Sequence, residues 1–262
     1  MNRALRTAAT GMFVQQLNVD TIANNLANVN TTGFKKSRPE FQDLMYQTLK
    51  ASGVSRNPDV QPATEIQIGN GAVPIATQKS FAQGDIQPTN NPLDVAIQGE
   101  GFFQIRRPDG TTAYSRDGSL KVSADGSIVT SQGYIVEPGL TLSDQVTSIT
   151  IGRDGTVEAT VVGDTAPTQV GQIELAKFVN PAGLSAIGGN LFLETPASGK
   201  PLVGTSGTEG FGELMQGQLE SSNVDVVEEM VNMIVAQRAY EINSKTVQSV
   251  DNMLSIANNI KR

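Results

Sequence analysis

Both ends of the chain carry apolar residues that are separated alternately by three and four positions. This heptad pattern predicts a helix that keeps one stripe of side chains against a partner helix. An isolated helix cannot bury such a stripe, so we expect each terminal helix to pack on the other or on another molecule. We interpret the two stripes as a self-assembly seam. Its positions are Leu5, Met12, Val19, Ile22, Leu26 and Val29 near the N-terminus and Val227, Met230, Val231, Ile234, Val235, Ile242, Val250, Met253 and Ile260 near the C-terminus.

The boundaries of the two helices can also be predicted from the residues that flank them. The first helix should run from about Asn2 to Asn28 and stop before Gly33, which can take the left-handed conformation that closes helices. The second should begin at Asp225, because Glu228 follows three residues later and completes a pair of the capping-box type. The residues 226–235 are apolar nearly all round, which predicts burial on more than one side and favours contacts with additional subunits.

The centre of the chain is predicted to be β-structure. Asp-Gly pairs at residues 109–110, 117–118 and 125–126 recur every eight residues, and Asp-Gly accepts the positive φ angles of tight hairpin turns. Such regular turns without a helical pattern favour a small antiparallel barrel or sandwich. The predicted strands are 93–98, 101–106, 112–115, 119–122, 127–130, 134–137, 148–151, 155–161 and 172–179.

Three further segments lack this strand pattern. Residues 34–50 carry apolar positions at helical spacing and are interpreted as a short ordered link. Residues 52–74 are rich in Gly and Pro and are predicted to be a long loop. Residues 182–212 contain frequent glycines and are expected to run as extended chain back to the helical region. The fold class is therefore α+β: two long terminal helices as a coiled-coil-like pair, an extended linking layer and a central all-β domain.

Composition narrows the possible functions. The formal charge of −7 argues against nucleic acid, because phosphate binding depends on clustered Lys and Arg. The short basic group Lys35, Lys36 and Arg38 is expected to be ordinary solvated surface. His and Cys are both absent, which removes the usual general base, the thiol nucleophile and the common zinc ligands. We therefore expect no cofactor and no metal; an enzyme that uses only carboxylates stays possible, but no carboxylate pair stands out, and we expect the chain not to be an enzyme. We also expect neither a membrane-spanning run nor a cleaved signal peptide.

One short motif occurs near the end of both helices. Residues 22–25 and 256–259 have the same sequence, Ile-Ala-Asn-Asn. Asparagine side chains can bond across packed helices and set their register, but chance is an equally good explanation at this point.

Three longer motifs carry a resemblance to a known family. The segments Ala23–Lys35 and Gln216–Asp225, the latter continuing into Glu229–Val231 and Ala236–Glu241, resemble the N- and C-terminal signatures of bacterial flagellar rod and hook proteins. In the centre, Asn91–Ile97 and Tyr114–Gly118 are similar to the β-domain that this family shares. The motifs stand in the family's order over essentially the whole chain, although Ser115 and Asp225 replace the more usual Thr and Asn.

The resemblance implies a structural subunit of the distal rod, with a proximal rod or hook-type subunit as the alternative. It implies three layers: an inner helical layer from residues 1–33 and 223–262, an intermediate layer from residues 34–86 and 198–222, and an outer β-domain from residues 87–197. Many copies would form a hollow helical shaft in the basal body, crossing the periplasm to the outer membrane. The implied partners are other copies, other rod proteins, the hook and hook–rod junction, the P- and L-ring bushings and the flagellar type III export apparatus.

Two other classes of function stay open on the residues alone. A periplasmic carbohydrate-binding β-protein would explain the centre but not the terminal heptads. A glycosidase acting on peptidoglycan would need a pair of carboxylates in a cleft, and no such pair stands at a recognisable spacing.

Overall fold

The computed structural model describes residues 2–50, 66–143, 146–161, 167–208 and 210–260. The chain is of the α+β class, with one helix at each end and a multi-stranded β region between them. By its internal contacts it divides into two compact units. The first unit contains residues 1–26, 37–78 and 226–262, and the second contains residues 27–36 and 79–225.

In chain order the elements are α1 (Asn2–Ala27), β1 (Ser37–Asp43), β2 (Gln47–Lys50), β3 (Ile66–Ile68), β4 (Ala72–Lys79), β5 (Ile86–Pro88), β6 (Val95–Gln98), β7 (Phe102–Arg106), β8 (Thr112–Ser115), β9 (Lys121–Val122), β10 (Ile128–Val129), β11 (Ile135–Val136), β12 (Val146–Ile151), β13 (Thr156–Val161), β14 (Thr168–Gln172), β15 (Glu174–Lys177), a 3₁₀ turn (Pro181–Gly183), β16 (Ser185–Gly188), β17 (Leu191–Leu193), β18 (Leu202–Thr205), β19 (Glu213–Gln216), β20 (Gln218–Glu220) and α2 (Val226–Ile260).

The two terminal helices confirm the boundaries predicted from the sequence. Helix α1 ends at Ala27, and Gly33 takes the expected positive φ of 67°. Helix α2 starts directly after Asp225, with Glu228 and Glu229 in its first turn. Acidic side chains are favourable there because the N-terminal end of a helix carries partial positive charge.

The prediction of a helically spaced link over residues 34–50 is wrong. Residues 37–43 form β1, which pairs with β4, and residues 47–50 form β2, which pairs antiparallel with β3. Pro39 lacks the amide hydrogen that a helix interior needs, whereas it is tolerated in a strand of a two-stranded sheet. The predicted loop over residues 52–74 therefore ends early, because β3 and the start of β4 lie within it; residues 52–65 lie outside the described residues.

The second unit is built on a nine-stranded sheet. Its strand order is β16-β17-β8-β7-β11-β10-β9, and β15 pairs with both β7 and β18. A three-stranded sheet of β12, β13 and β14 and the two-stranded pairs β6–β19 and β5–β20 complete it.

Three apolar clusters form the core of this unit, the smallest of them around Ile105 and Leu191. The largest contains fully buried side chains such as Val95, Phe103 and Leu175. The middle one is aromatic, and the ring of Phe178 stands edge-on to Tyr114 at 4.7 Å and to Phe102 at 5.8 Å. Edge-to-face contacts of this kind stabilise a core beyond the area that they bury.

The Asp-Gly turns are confirmed in part. Gly110 and Gly126 have positive φ angles of 80° and 76°, as a tight turn requires. Gly118 does not have a positive φ. It is needed for space instead, because a Cβ at this position would overlap the carbonyl oxygen of Val95.

Residues 182–212 are not simple extended chain. They contain β16, β17 and β18, and β18 pairs along its length with β15. Strands β19 and β20 pair with β6 and β5, so residues 202–220 contribute strands to the second unit. The predicted inner, intermediate and outer layers describe an assembled polymer, so this division of the chain stays a prediction.

Candidate assembly surface on the terminal helices

Helices α1 and α2 lie beside each other and run antiparallel. Asn25 of α1 donates to the Glu229 carboxylate of α2 over 3.4 Å. Fourteen residues towards the other end of the pair, a Cβ added to Gly11 would lie 2.9 Å from Nδ2 of Asn243. From the first contact to the second, the residue number falls in α1 and rises in α2, so the two helices are antiparallel.

Asn25 is a polar junction inside this helix pair. Its Oδ1 accepts from the Ser37 amide over 2.9 Å, and its Nδ2 donates to the Ser37 carbonyl over 2.8 Å. The residue is 2% exposed, and its partner Glu229 is 5% exposed. A buried polar group that finds its partners at only one alignment sets the register between elements. Of the two Ile-Ala-Asn-Asn motifs, the first therefore has a structural role, while Asn258 and Asn259 are exposed.

One face of α2 is turned towards the rest of the chain, and it mixes polar and small side chains with apolar ones such as the half-buried Met233 and Leu254. Its most buried residues are Glu229, Ala236 and Val250, which are separated by multiples of seven positions. At about 100° per residue these positions fall on one side of the helix.

The opposite face of α2 carries large apolar side chains that are exposed. Val227 is 71% exposed, Ile234 51% and Val235 61%. At about 100° per residue, Val227 and Ile234 point about 140–180° away from Glu229 and Ala236 around the helix axis. Val235 points about 100–120° away from them and so lies at the edge of this face. We call this surface the outer stripe of α2. Its members are Val227, Met230, Val231, Ile234, Val235, Ile242, Met253 and Ile256, all more than half exposed.

The predicted seam residues are thus distributed between exposed and buried positions. Among the α2 positions, only Val250 is buried in the chain, at 4% exposure, and the side chain of Ile260 lies outside the described residues. In α1, Ile22 is buried, whereas Leu5, Met12, Val19 and Leu26 are half-buried. Val29, also half-buried, follows the end of α1.

A groove of about 380 Å³ lies between the two helices. Val19 of α1 and Tyr240 of α2 line it, together with the polar residues Gln16, Gln237 and Glu241. Phe13, one turn before Gln16, is 59% exposed. The surface of the helix pair therefore combines an apolar stripe with an apolar groove, and both are open to a further helix.

Within the described part of the chain, no three acidic side chains come together as metal ligands would. Neither described helix is apolar over a length sufficient to cross a bilayer.

The second unit contains a buried charge cluster that sequence reasoning missed. Lys35, expected to be solvated surface, is fully buried and forms an ion pair with the fully buried Glu220, while Arg116 lies 3.7 Å from the other carboxylate oxygen. Burial lowers the pKa of Lys35, and the facing carboxylate of Glu220 opposes that shift. Burial likewise lowers the pKa of Arg116, opposed by Glu220 and Glu100. Each of the three charged residues belongs to one of the motifs that resemble flagellar proteins, which is the one signal that could have found them.

Comparison with known proteins matches three segments of the chain to flagellar families. Residues 5–35 match the flagella basal body rod protein family, and residues 215–260 match the flagellar basal body rod FlgEFG protein C-terminal family. Residues 96–159 match the flagellar hook protein FlgE/F/G D1 domain. The matched segments contain most of α1, all of α2 and the first part of the central sheet.

Several full-length relatives carry one name, flagellar basal-body rod protein FlgG. The protein of that name from Borreliella burgdorferi is 55% identical over 264 residues, covering 100% of both chains. Those of Caulobacter vibrioides and Bacillus subtilis are 48% and 38% identical, covering 99% and 100% of each chain. At this identity over the whole length, the chain belongs to the FlgG family of flagellar basal-body rod proteins.

Proposed function

We propose that this chain is a structural subunit of the flagellar distal rod. Copies of it polymerise helically into a rigid, hollow drive shaft that transmits motor torque to the hook and surrounds the export channel. The role is mechanical and involves no catalysis. Its place is the basal body, where the rod crosses the periplasm to the outer membrane.

The outer stripe of α2 is the observation that carries this proposal. Its eight apolar side chains are more than half exposed, while the opposite face of the helix is occupied. Fully burying a Val, Ile or Met side chain contributes roughly 1.5–3 kcal/mol. A stripe of this length is therefore a strong adhesive surface for another helix, and a second copy is the occupant that the rod family favours.

The interface between copies should be heterologous. The chain offers two different apolar surfaces, the outer stripe and the α1–α2 groove beside Val19 and Tyr240. When a surface binds a different surface on the next copy, the contact repeats without closing on itself and generates a helical filament. We propose that the α1–α2 pair packs in this way as the coiled-coil-like inner layer, with the strands of the second unit as a barrel-like outer domain.

Rigidity follows from the same packing. Torsion of such a shaft would have to slide interlocked side chains past each other, and interiors packed at protein density yield little. We further propose the partners that a shaft in this place requires: the other rod proteins, the hook and hook–rod junction, the P- and L-ring bushings and the type III export apparatus.

The proposal is tested by placing a charge in the outer stripe. Cells that lack the native protein are complemented with the parent chain, with Ile234→Asp or with Asn232→Asp, a matched control at an exposed polar position on the other side of the same helix. An unpaired charge buried in an interface is penalised by several kcal/mol. We expect Ile234→Asp to be exported and folded, by circular dichroism of the purified chain, but to build no distal rod in electron micrographs of basal bodies. Normal rods and swimming with Ile234→Asp would refute the assignment of the stripe.

A further inference from the structure

A short turn between β3 and β4 sits directly on the first turns of α1. The turn is Gly69-Asn70-Gly71, and Gly71 has a φ of 108°. A Cβ added to Gly71 would overlap Oγ1 of Thr10 and lie 3.5 Å from Cα of Thr7. The backbone of the turn therefore packs directly against the Thr10 side chain, and only glycine permits this approach.

Asn70 connects this contact to two other segments. Its Oδ1 accepts from the guanidinium of Arg6 in α1 over 3.0 Å. Its Nδ2 donates to the carbonyl of Met45, just before β2, over 2.6 Å. The amide of Leu44 donates in turn to the Gly71 carbonyl over 2.8 Å. The turn thus holds α1 on one side and the start of β2 on the other.

The ribbon that this turn anchors is narrow. Strands β2 and β3 form a two-stranded sheet, and a two-stranded ribbon is marginally stable in water by itself. Its large apolar side chains are exposed, with Leu49 and Ile66 each at 54%. Tyr46, just before β2, is 56% exposed, and its ring lies beside Gly69, with its nearest carbon 3.4 Å from where a Cβ would stand. The turn therefore contributes to the direction of the ribbon.

We propose that Gly69-Asn70-Gly71 is a latch that fixes the β2–β3 ribbon to α1. The latch sets the direction in which the exposed apolar side chains of the ribbon face a second copy, so shaft straightness depends on it. This inference rests on the proposed polymerisation for its consequence in the shaft, whereas the latch itself is a property of the single chain.

Two substitutions release the latch in different ways. Arg6→Ala removes the hydrogen bond to Asn70, with Arg3→Ala as the control because it removes another exposed arginine from the same end of α1. Gly71→Ala forces the turn away from Thr10. Its control is Gly110→Ala, which also places alanine at a positive φ but meets no atom within 4 Å.

The first measurement is hydrogen exchange of the purified full chain at residues 44–50 and 66–71. We expect exchange in Arg6→Ala to be about two- to tenfold faster than in the parent, the range that corresponds to one lost hydrogen bond. The increase in exchange rate should be larger in Gly71→Ala, and neither control variant should change the exchange rate in these segments. Unchanged exchange in both latch variants would overturn the proposal.

The second measurement is the curvature of rods in purified basal bodies. We expect both latch variants to assemble rods that bend more than rods of the two controls. If exchange is faster in the latch variants but their rods are as straight as those of the control variants, the latch does not determine the straightness of the shaft. If the parent chain built no rod at all, the proposed function would fail, while the exchange comparison would still decide whether the latch exists.

Discussion

Lys35 and Glu220, which are 185 positions apart, form an ion pair of 2.6 Å that is closed to solvent. Lys35 follows α1, and Glu220 precedes α2, so the pair ties together the two segments that lead to the terminal helices. The Lys35 ammonium also donates to the Ala82 carbonyl, and the same carboxylate oxygen of Glu220 accepts from the Gly84 amide over 2.9 Å. With Arg116 nearby, one carboxylate serves two buried cations.

Replacing Glu220 by Gln should strongly destabilise the second unit. The substitution leaves the Lys35 and Arg116 charges buried without their counter-ion, and breaking a buried pair from one side typically costs about 3–5 kcal/mol. The measurement is urea unfolding of the purified chain, followed by circular dichroism. Glu213→Gln is the control, because its pair with Arg153 is exposed and worth at most about 1 kcal/mol. Equal midpoints for the two variants would show that the buried pair contributes no stability.

Gly118→Ala should be more damaging than Gly110→Ala, although only Gly110 has a positive φ. A Cβ at Gly118 would overlap the Val95 carbonyl, whose strand lies in the main core, so the backbone must move. A Cβ at Gly110 meets open space and incurs only the left-handed penalty of roughly 1–2 kcal/mol. Thermal unfolding of the two variants ranks them, and a lower melting temperature for Gly110→Ala would contradict the packing argument.

The pKa of Tyr46 should lie above its ordinary value because of Asp43. A hydrogen bond to the Asp43 carboxylate, together with its negative charge, raises the pKa of Tyr46. Removing the charge with Asp43→Asn should therefore lower the pKa of Tyr46 towards its ordinary value. Absorbance titration of each chain against its Tyr46→Phe counterpart isolates this one phenol among four tyrosines. The same midpoint with and without Asp43 would mean that the two side chains do not interact in solution.

Local sequence signals predicted the elements whose cause is local. The heptads and their flanking residues predicted the end of α1 and the start of α2 to within one or two residues, and the Asp-Gly pairs correctly predicted turns at Gly110 and Gly126. Strands β16 to β18 were missed because all three are short, because β16 and β18 contain glycine, and because β17 and β18 pair with strands far away in the chain. Strand β2 was missed for the same reason, since its partner β3 follows after a long interruption.

The burial of Lys35 could not be predicted from its neighbours. A lysine in a short basic group is normally solvated, and only the distant Glu220 makes its burial tolerable. The helices present the opposite case. The contact face of α2 within the chain uses Glu229, Ala236 and Val250, whereas most of the large apolar residues of this helix lie on an exposed surface. Apolar periodicity alone cannot distinguish these two faces.

The segment between β2 and β3 should control the stiffness of the shaft. Residues 52–65 form most of the predicted loop, and they interrupt a ribbon whose flanking strands pair Lys50 with Ile66. A segment of this length can reach a neighbouring copy at little entropic penalty, because loop closure grows only logarithmically with length. Contacts made in this way would oppose bending while leaving the terminal helices unchanged.

Replacing residues 51–65 by Asn-Gly tests this idea without disturbing the flanking strands. Asn-Gly closes a two-residue hairpin and preserves the antiparallel pairing of β2 with β3. We expect this variant to be exported and to polymerise, but to form rods that bend more, as a hook does. The curvature of rods in purified basal bodies, variant against parent, is the measurement. Variant rods that are as straight as parent rods and still turn filaments would show that residues 51–65 act only as a spacer. The stiffness of the shaft would then have to come from the helix pair alone.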